Sequence, residues 1–302
     1  MTAPIVAVDH LTALDVAPPR FLALAAEAGY DAAGIRIRAL DASEFMWDLS
    51  PGTLLRRETE AVIRDTGIRI SACEVIRLRP GMTLDDIGPM LETAHALRAE
   101  YIYVITGDEE LGWITDVFAE VSGHISQSGF RPLLEPMPYR RVDDVFTARE
   151  VVAGTSAGVL VDTLHFVRGG MLDRLDEWCR MPGDLFPLVQ ICDAPLEPPT
   201  EADRLAAGAG AEPKHGQSAH VNPLQWEARV GRLLPGDGAI PFGQILDPLE
   251  RVQVIALEAP SPGVDDIDQV REFLATGRQR IARTLEDPAG ADIGSAVVSE
   301  RE

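Results

Sequence analysis

Short apolar runs broken by turn residues recur along the chain, and segments of helical periodicity lie between them. A run of about four to eight apolar residues bounded by glycine, proline or polar residues is typical of a buried strand. Such strands are predicted at residues 5–8, 34–37, 68–73, 101–105, 131–135, 158–162, 186–190 and 252–258. Strands that are apolar on both faces belong to a parallel sheet that is covered by helices.

Helical segments separate these runs, and in the first of them Phe21, Leu22 and Leu24 share one face. Helices are predicted at residues 18–30, 54–66, 84–99, 114–128, 142–153, 171–180, 242–250 and 267–285. Strands and helices that alternate with a period of about 30 residues favour a single-domain (β/α)₈ TIM barrel over residues 1–286. The alternative, an open doubly wound sheet, would need a glycine-rich phosphate turn after the first strand, and the sequence has none there.

Two stretches depart from this regular alternation. Residues 196–229, after the seventh strand, are rich in proline, glycine, alanine and glutamate and show weak periodicity. A loop of that length inside a compact domain is usually functional or disordered, so an active-site lid and a mobile surface insertion both remain open. Residues 287–302 are rich in alanine, glycine, serine and glutamate and are predicted to form a frayed tail.

Composition and charge restrict the class of protein. The chain has 302 residues, of which 46% are hydrophobic and 25% charged, as in an ordinary soluble globular protein. A net charge of -21 disfavours nucleic acid and acidic membrane surfaces as partners, and no apolar run is long enough to span a membrane. Cys73, Cys179 and Cys192 are irregularly spaced and no secretory signal precedes them, which predicts a reducing, cytoplasmic location. Composition and charge do not determine whether the chain forms a homo-oligomer.

Four of the predicted strands end in an oxygen-bearing side chain: Glu135, Asp162, Gln190 and Glu258. In a barrel of parallel strands, that end carries the active site. Three carboxylates in one pocket would repel one another, and a divalent cation removes that cost. Any one of these acids could instead cap a strand or pair with an arginine, but four oxygen ligands at matching positions favour Mg²⁺, Mn²⁺ or a similar ion.

The strand ends also carry motifs that resemble a known family. The motifs are Leu134-Glu-Pro, Val161-Asp-Thr-Leu-His165, Gln190-Ile-Cys-Asp193 and Leu233-Leu-Pro-Gly-Asp-Gly238. They are similar to those of the xylose isomerase-like TIM barrels of the sugar phosphate isomerase/epimerase group, which includes D-tagatose 3-epimerase, inosose isomerases and dehydratases, and 3-dehydroshikimate dehydratase. The resemblance covers nearly the whole chain, from the first strand to the eighth.

The resemblance implies four metal ligands, namely Glu135, Asp162, Gln190 and Glu258. At Gln190 the usual family residue is histidine, although glutamine also occurs there in some of the dehydratases. A neutral amide oxygen should favour Mn²⁺ or Mg²⁺ over Zn²⁺, with Co²⁺ and Zn²⁺ remaining open.

The implied activity is that of a divalent-metal-dependent isomerase or epimerase of a small polyhydroxy ketone, which is a sugar, a sugar acid or a cyclitol. The reaction would pass through a metal-stabilised enediolate, with Glu135 and Glu258 as acid and base. His165 would face the substrate, where a neutral imidazole can hold a hydroxyl or move a proton. The arginines that could bind substrate are Arg168, Arg229 and Arg232, although an arginine in such a position is more often a solvated surface charge. A metal-dependent dehydratase of the same barrel is the close alternative.

Two other classes of protein could use a barrel of this kind. A DNA-repair nuclease of the endonuclease IV kind shares this barrel but would need more histidines at strand ends and a basic face, which a charge of -21 contradicts. A metal-free binding protein on the same barrel stays open, and failure to bind any divalent ion would indicate it.

Overall fold

The computed structural model describes residues 3–40, 44–207, 222–249, 252–261 and 266–287. Residues 208–221 of the predicted insertion and residues 288–302 of the predicted tail lie outside the described residues, as does Glu250 at the end of one predicted helix.

Nine parallel strand segments form one sheet. They are β1 (Ile5–Val8), β2 (Ala32–Arg36), β3 (Arg69–Arg77), β4 (Tyr101–Ile105), β5 (Arg131–Leu134), β6 (Gly158–Val159), β7 (Val161–Asp162), β8 (Leu188–Ile191) and β9 (Val254–Leu257). Their order is β6-β5-β4-β3-β2-β1-β9-β8-β7. Only Leu160 separates β6 from β7, and its backbone N–H donates to the carbonyl of Leu134 at 2.9 Å. The two segments are therefore halves of the sixth strand, which joins the two edges of the sheet and closes the predicted (β/α)₈ TIM barrel.

Helices connect the strands. The α-helices are α1 (Pro18–Glu27), α2 (Leu54–Thr66), α3 (Gly88–Leu97), α4 (Leu111–Gln127), α5 (Val145–Val152), α6 (Thr163–Arg168), α7 (Leu175–Trp178), α8 (Glu201–Ala206), α9 (Pro223–Trp226), α10 (Phe242–Leu246) and α11 (Ile267–Glu286). Short 3₁₀ turns occupy His10–Ala13, Leu84–Asp86, Met171–Arg174 and Gly183–Leu185, and a π-helical turn at Glu227–Gly231 continues α9. None of the described helices is both long and apolar enough to cross a membrane.

Several of these elements differ from the sequence prediction. The helix predicted at 171–180 is divided into the 3₁₀ turn Met171–Arg174 and α7. Strand β3 runs four residues beyond its predicted end and takes in Glu74, with a register shift against β4 between Cys73 and Ile76. The helix predicted at 84–99 is divided into a 3₁₀ turn and α3, because Gly88 and Pro89 begin a new helix. Helix α6 was not predicted, since six residues are too few to show helical periodicity.

The sheet separates two apolar clusters. The smaller cluster fills the barrel, where the small side chains of Ala7, Ala32 and Ala72 leave room for the rings of Tyr101 and Tyr103. The larger cluster lies between the sheet and the surrounding helices. Because the interior is packed with apolar side chains, polar groups are confined to the ends of the barrel.

Candidate active site

The four residues predicted as metal ligands lie at the carboxyl end of the barrel. Glu135 follows β5, Asp162 ends β7, Gln190 lies in β8 and Glu258 follows β9. The side chain of Glu135 is 12% exposed, whereas those of Asp162 and Glu258 are 0% and 6% exposed. Glu135 is therefore the most accessible carboxylate of the set, and the others lie deeper in the protein.

Glu135, Asp162 and His165 form the tightest group of potential ligands. One ligand atom from each residue lies within 4.8 Å of the other two. Asp162 is the N-cap of helix α6, and its Oδ1 accepts the backbone N–H of His165 at 2.9 Å. This cap directs the imidazole toward Glu135, with 3.7 Å between His165 Nε2 and Glu135 Oε1. Burial lowers the pKa of His165 to about 4, so its imidazole is neutral near pH 7.

Arg232 supplies the positive charge at the centre of the site. Its Nη1 contacts Asp162 Oδ2 and lies 3.0 Å from Glu258 Oε2, and its Nε donates to the carbonyl of Ala228 at 2.7 Å. Burial alone would raise the pKa of Asp162, but the adjoining guanidinium holds that pKa below its ordinary value. The structure thus places Arg232 beside two of the predicted ligands, and substrate binding by Arg232 remains a prediction.

Glu135 and Glu258 both have pKa values above those of ordinary glutamates. Burial raises the pKa of Glu258 to about 8, even though the charge of Arg232 opposes the shift. Burial, followed by the charges of Glu258 and Asp162, raises the pKa of Glu135 well above its ordinary value. Glu258 can therefore hold a proton near neutral pH, and Glu135 keeps its proton to a higher pH than an ordinary glutamate does.

Gln190 has one saturated end and one unsatisfied end. Its Nε2 donates to Asp9 Oδ2 at 2.8 Å and to Glu258 Oε1 at 3.0 Å. Its Oε1 is buried and meets no hydrogen-bond donor among the described residues. A buried amide oxygen without a donor is costly to leave alone, and a cation would satisfy it.

Asp9, Arg36 and Glu74 extend the site toward β1, β2 and β3. The Nε of Arg36 lies 3.2 Å from Glu74 Oε2, and the carboxyl groups of Asp9 and Glu74 both press against Gly34, where any Cβ would overlap them. Burial and the charge of Glu74 raise the pKa of Asp9. Asp9 was not assigned to the site from the sequence, although it directly follows the first predicted strand and the strand-end rule could have found it. Glu74 directly follows the third predicted strand, where the sequence leaves open whether it contacts substrate or is a solvated acid.

Arg168 and Arg229, the other arginines predicted to bind substrate, lie near the predicted insertion. Arg168 donates through Nε and Nη2 to the two carboxylate oxygens of Glu227 at 2.7 and 2.6 Å, and through Nη1 to the carbonyl of Leu196 at 2.8 Å. These bonds fasten both ends of the insertion to α6. Arg229 is half-buried in the π-helical turn. Substrate binding by either arginine remains a prediction.

The donor set is compatible with a divalent cation. Carboxylates from Glu135 and Asp162, the neutral imidazole of His165 and the unsatisfied oxygen of Gln190 are ordinary ligands of such an ion. Among the described residues, buried carboxyl groups also outnumber buried arginines. A bound cation would balance part of this excess negative charge. Ligation by Glu135, Asp162, Gln190 and Glu258 together remains a prediction.

Several solved structures share this fold. One is the IolI protein with a bound zinc atom, at a TM-score of 0.63 and 17% identity over 96% of this chain and 99% of that protein. A second is the probable 3-DHS dehydratase AsbF from Bacillus anthracis, involved in petrobactin synthesis. Its TM-score is 0.63 and its identity is 11%, over 93% of this chain and 98% of that protein. A third is D-psicose 3-epimerase in the presence of D-fructose. Its TM-score is 0.60 and its identity is 12%, over 94% of this chain and 99% of that protein. At identities this low, the likenesses show the fold alone.

A fusion protein of a xylose isomerase-like TIM barrel and 4-hydroxyphenylpyruvate dioxygenase is also similar, at a TM-score of 0.69 and 18% identity. The match covers 95% of this chain but 45% of the fusion protein, so this chain spans less than half of that protein's length. No curated protein matches the sequence. The model of the xylose isomerase-like TIM barrel family matches residues 22–277, and the chain therefore belongs to that family.

Proposed function

We propose that this chain is a divalent-metal-dependent isomerase or epimerase of a small polyhydroxy ketone, which is a sugar, a sugar acid or a cyclitol. The observation that carries the proposal is the pair of glutamates Glu135 and Glu258, whose side chains are 12% and 6% exposed. In the closed sheet, β7 and β8 lie between the strands that carry them, so the glutamates flank Asp162 and Gln190. Two proton-holding groups on opposite sides of one site suit a reaction that removes a proton and returns it elsewhere.

The proton transfer needs groups that can change protonation near neutral pH. The pKa of Glu258 is raised to about 8, and that of Glu135 is raised well above its ordinary value, both chiefly by burial. A carboxylate with a raised pKa is a stronger base than usual, and once protonated it can return the proton. We assign to Glu135 and Glu258 the removal and return of the proton on the carbon beside the substrate carbonyl. The neutral His165 would hold a substrate hydroxyl.

Glu135, Asp162, Gln190 and Glu258 would hold the cation. A divalent cation there would polarise the substrate carbonyl and balance the charge that develops on its oxygen. The oxygen-rich set favours Mn²⁺ or Mg²⁺, while the nitrogen of His165 within the ligand cluster keeps Co²⁺ and Zn²⁺ in range. The fold shared with a zinc-bound protein and with a D-psicose 3-epimerase supports this choice of chemistry.

Solvent deuterium exchange tests the proposal. The chain is loaded with Mn²⁺ and incubated in D₂O with a panel of ketoses, keto sugar acids and inososes, and deuterium at the carbon beside the carbonyl is followed by NMR. We expect wash-in that EDTA abolishes and Mn²⁺ restores. Asp162→Asn should weaken the binding of Mn²⁺, with activity partly restored by excess ion. A chain that binds no divalent ion by calorimetry would contradict metal dependence and would indicate a binding protein on the same barrel.

A dehydratase is the second candidate, and Gln190 is the observation that favours it. Glutamine stands at the place where the family usually has histidine, and the barrel is similar to that of a probable 3-DHS dehydratase. A dehydratase would remove the same proton and then expel a β-hydroxyl. Its product would be an enone or an aromatic acid that absorbs ultraviolet light, whereas an epimerase gives no such absorbance. Absorbance after incubation of the Mn²⁺-loaded chain with 3-dehydroshikimate therefore separates the two reactions.

We place the reaction in the cytoplasm, with a small polyhydroxy carbonyl compound as the partner and no role for nucleic acid. The free thiols of Cys73, Cys179 and Cys192 support a reducing compartment. The net charge of -21 supports the absence of a nucleic-acid partner.

A further inference from the structure

Arg232 occupies the space between two carboxylates that the proposed cation would need. Its side chain is 2% exposed, and its Nη1 contacts Asp162 Oδ2, Glu258 Oε2 at 3.0 Å, the Glu258 carbonyl at 3.2 Å and Cys192 Sγ at 3.5 Å. Four acceptors thus surround one nitrogen that carries two hydrogens. This arrangement is that of a cation in a binding site.

The guanidinium is held in place from the backbone. Arg232 follows the π-helical turn 227–231, called here the return turn, and donates through Nε to the carbonyl of Ala228 within it at 2.7 Å. On its other side, Leu233 exchanges two backbone hydrogen bonds with Asp193, each 2.8 Å long. The position of Arg232 is therefore set by the fold around it as well as by the two carboxylates.

A buried ion pair anchors the return turn itself. Glu227 begins the turn, and its two carboxylate oxygens accept from Arg168 at 2.6 and 2.7 Å. The side chains of this pair are 3% and 4% exposed, so the pair is shielded from solvent. Two planar groups joined by parallel hydrogen bonds have a defined mutual geometry. The pair therefore fixes the turn against α6, the helix that carries His165.

We propose that Arg232 is a resident counter-cation that competes with the divalent ion for Asp162 and Glu258, and that the ion binds both carboxylates only when Arg232 withdraws. The reason is steric and electrostatic. A Mn²⁺ or Mg²⁺ ion binds carboxylate oxygens at about 2.0–2.2 Å, and the guanidinium nitrogen already contacts those oxygens. A divalent ion bound to these oxygens would lie close to the guanidinium group, and two neighbouring positive charges repel strongly where little water screens them. The proposal rests on the proposed metal-dependent function, and it adds that binding of the ion releases Arg232 to meet the substrate.

Mn²⁺ affinity measured by electron paramagnetic resonance and calorimetry tests the competition. Arg232→Ala should bind Mn²⁺ about tenfold more tightly than the wild type or better, the factor that one charge-assisted hydrogen bond can contribute. Millimolar guanidinium chloride should then weaken Mn²⁺ binding by the variant, because the small cation refills the space between the carboxylates. Sodium chloride at equal ionic strength should not, and neither salt should have a specific effect on the wild type. Arg204→Ala, which removes a guanidinium paired with Glu201 on the surface helix α8, is the control and should bind as the wild type does.

A second variant separates competition from a general charge effect. Glu227→Gln removes a negative charge, which by electrostatics alone would weaken cation binding. The same substitution also breaks the ion pair that anchors the return turn, so Arg232 is held less firmly. If Arg232 competes with the ion, Glu227→Gln should therefore bind Mn²⁺ more tightly than the wild type. If Arg232→Ala does not fold, Arg232→Met keeps most of the side-chain volume and gives the same readout. Equal affinity in the wild type and the Arg232 variants, or weaker binding in Glu227→Gln, would overturn the competition and leave the proposed function intact. No Mn²⁺ binding by any of these proteins would refute the metal-dependent function as well.

Discussion

Asp193 should be one of the most sensitive positions for stability, although it is not assigned a chemical role. Its carboxylate is buried after β8 and accepts four backbone N–H groups: those of Ala194 and Ile240 at Oδ1, at 2.8 and 3.0 Å, and those of Gly236 and Gly238 at Oδ2, at 2.8 and 3.0 Å. These four bonds make Asp193 a cap of the turn at residues 236–240.

The cost of Asp193→Asn follows from these bonds. An amide presents one oxygen and one NH₂ group, and each carboxylate oxygen of Asp193 serves two donors. In either orientation the amide therefore leaves two backbone N–H groups without an acceptor and facing another donor. An unsatisfied buried polar group costs about 1–3 kcal/mol, so the expected loss is about 2–6 kcal/mol.

Thermal unfolding measured by calorimetry checks this value. At about 2.1 cal/mol/K per residue, the 302-residue chain unfolds with an entropy near 0.6 kcal/mol/K, so a loss of about 4 kcal/mol lowers Tm by about 6 °C. Asp237→Asn is the matched control, since Asp237 lies in the same turn but is 45% exposed and pairs with Arg280 on the surface. We expect its Tm to fall by less than about 2 °C, because surface ion pairs contribute about 0–1 kcal/mol. If Asp193→Asn falls no further than this control, the reasoning from buried donors is wrong.

Three further predictions concern the proposed chemistry. Glu135→Gln and Glu258→Gln should each slow deuterium wash-in by about 10²–10⁴-fold at saturating Mn²⁺ with a smaller loss of metal affinity, and wild-type rates in both would reduce the glutamates to ligands. Gln190→His should keep the metal site but shift its preference toward Zn²⁺ or Co²⁺ in competition calorimetry, and unchanged relative affinities would count against Gln190 as a ligand. Removing residues 200–221 while keeping the Arg168–Glu227 pair should raise KM with little change in Tm, and full activity of this variant would make the segment a surface feature only.

The barrel was predictable because burial of each strand determines which residues that short segment of sequence can contain. A strand covered on both faces has to be apolar throughout, and a turn residue marks where it leaves the sheet. The same logic found Glu135 and Glu258, since a carboxylate directly after such a run can only lie at one end of the barrel. It did not resolve Glu74, because β3 continues past the predicted end and carries this residue within the strand.

The contacts of Arg232 could not be predicted from the sequence. It is 70 residues from Asp162 along the chain, and its position depends on how the insertion returns to the barrel. Local patterns carry no information on that path, and the return turn is a π-helix, which no periodicity in the sequence indicates. The role of Arg168 was equally hidden, because an arginine that fastens a loop and one that binds a substrate look the same in sequence.

The fastened ends of the insertion make its middle a natural place for protein engineering. The Arg168–Glu227 pair and the Asp193–Leu233 bridge hold the chain on either side of residues 198–226. Extra residues inserted between two fixed points cost little closure entropy, since each doubling of the length between those points adds only about 0.6 kcal/mol. A reporter peptide or a small folded module could therefore be grafted there without moving Arg232.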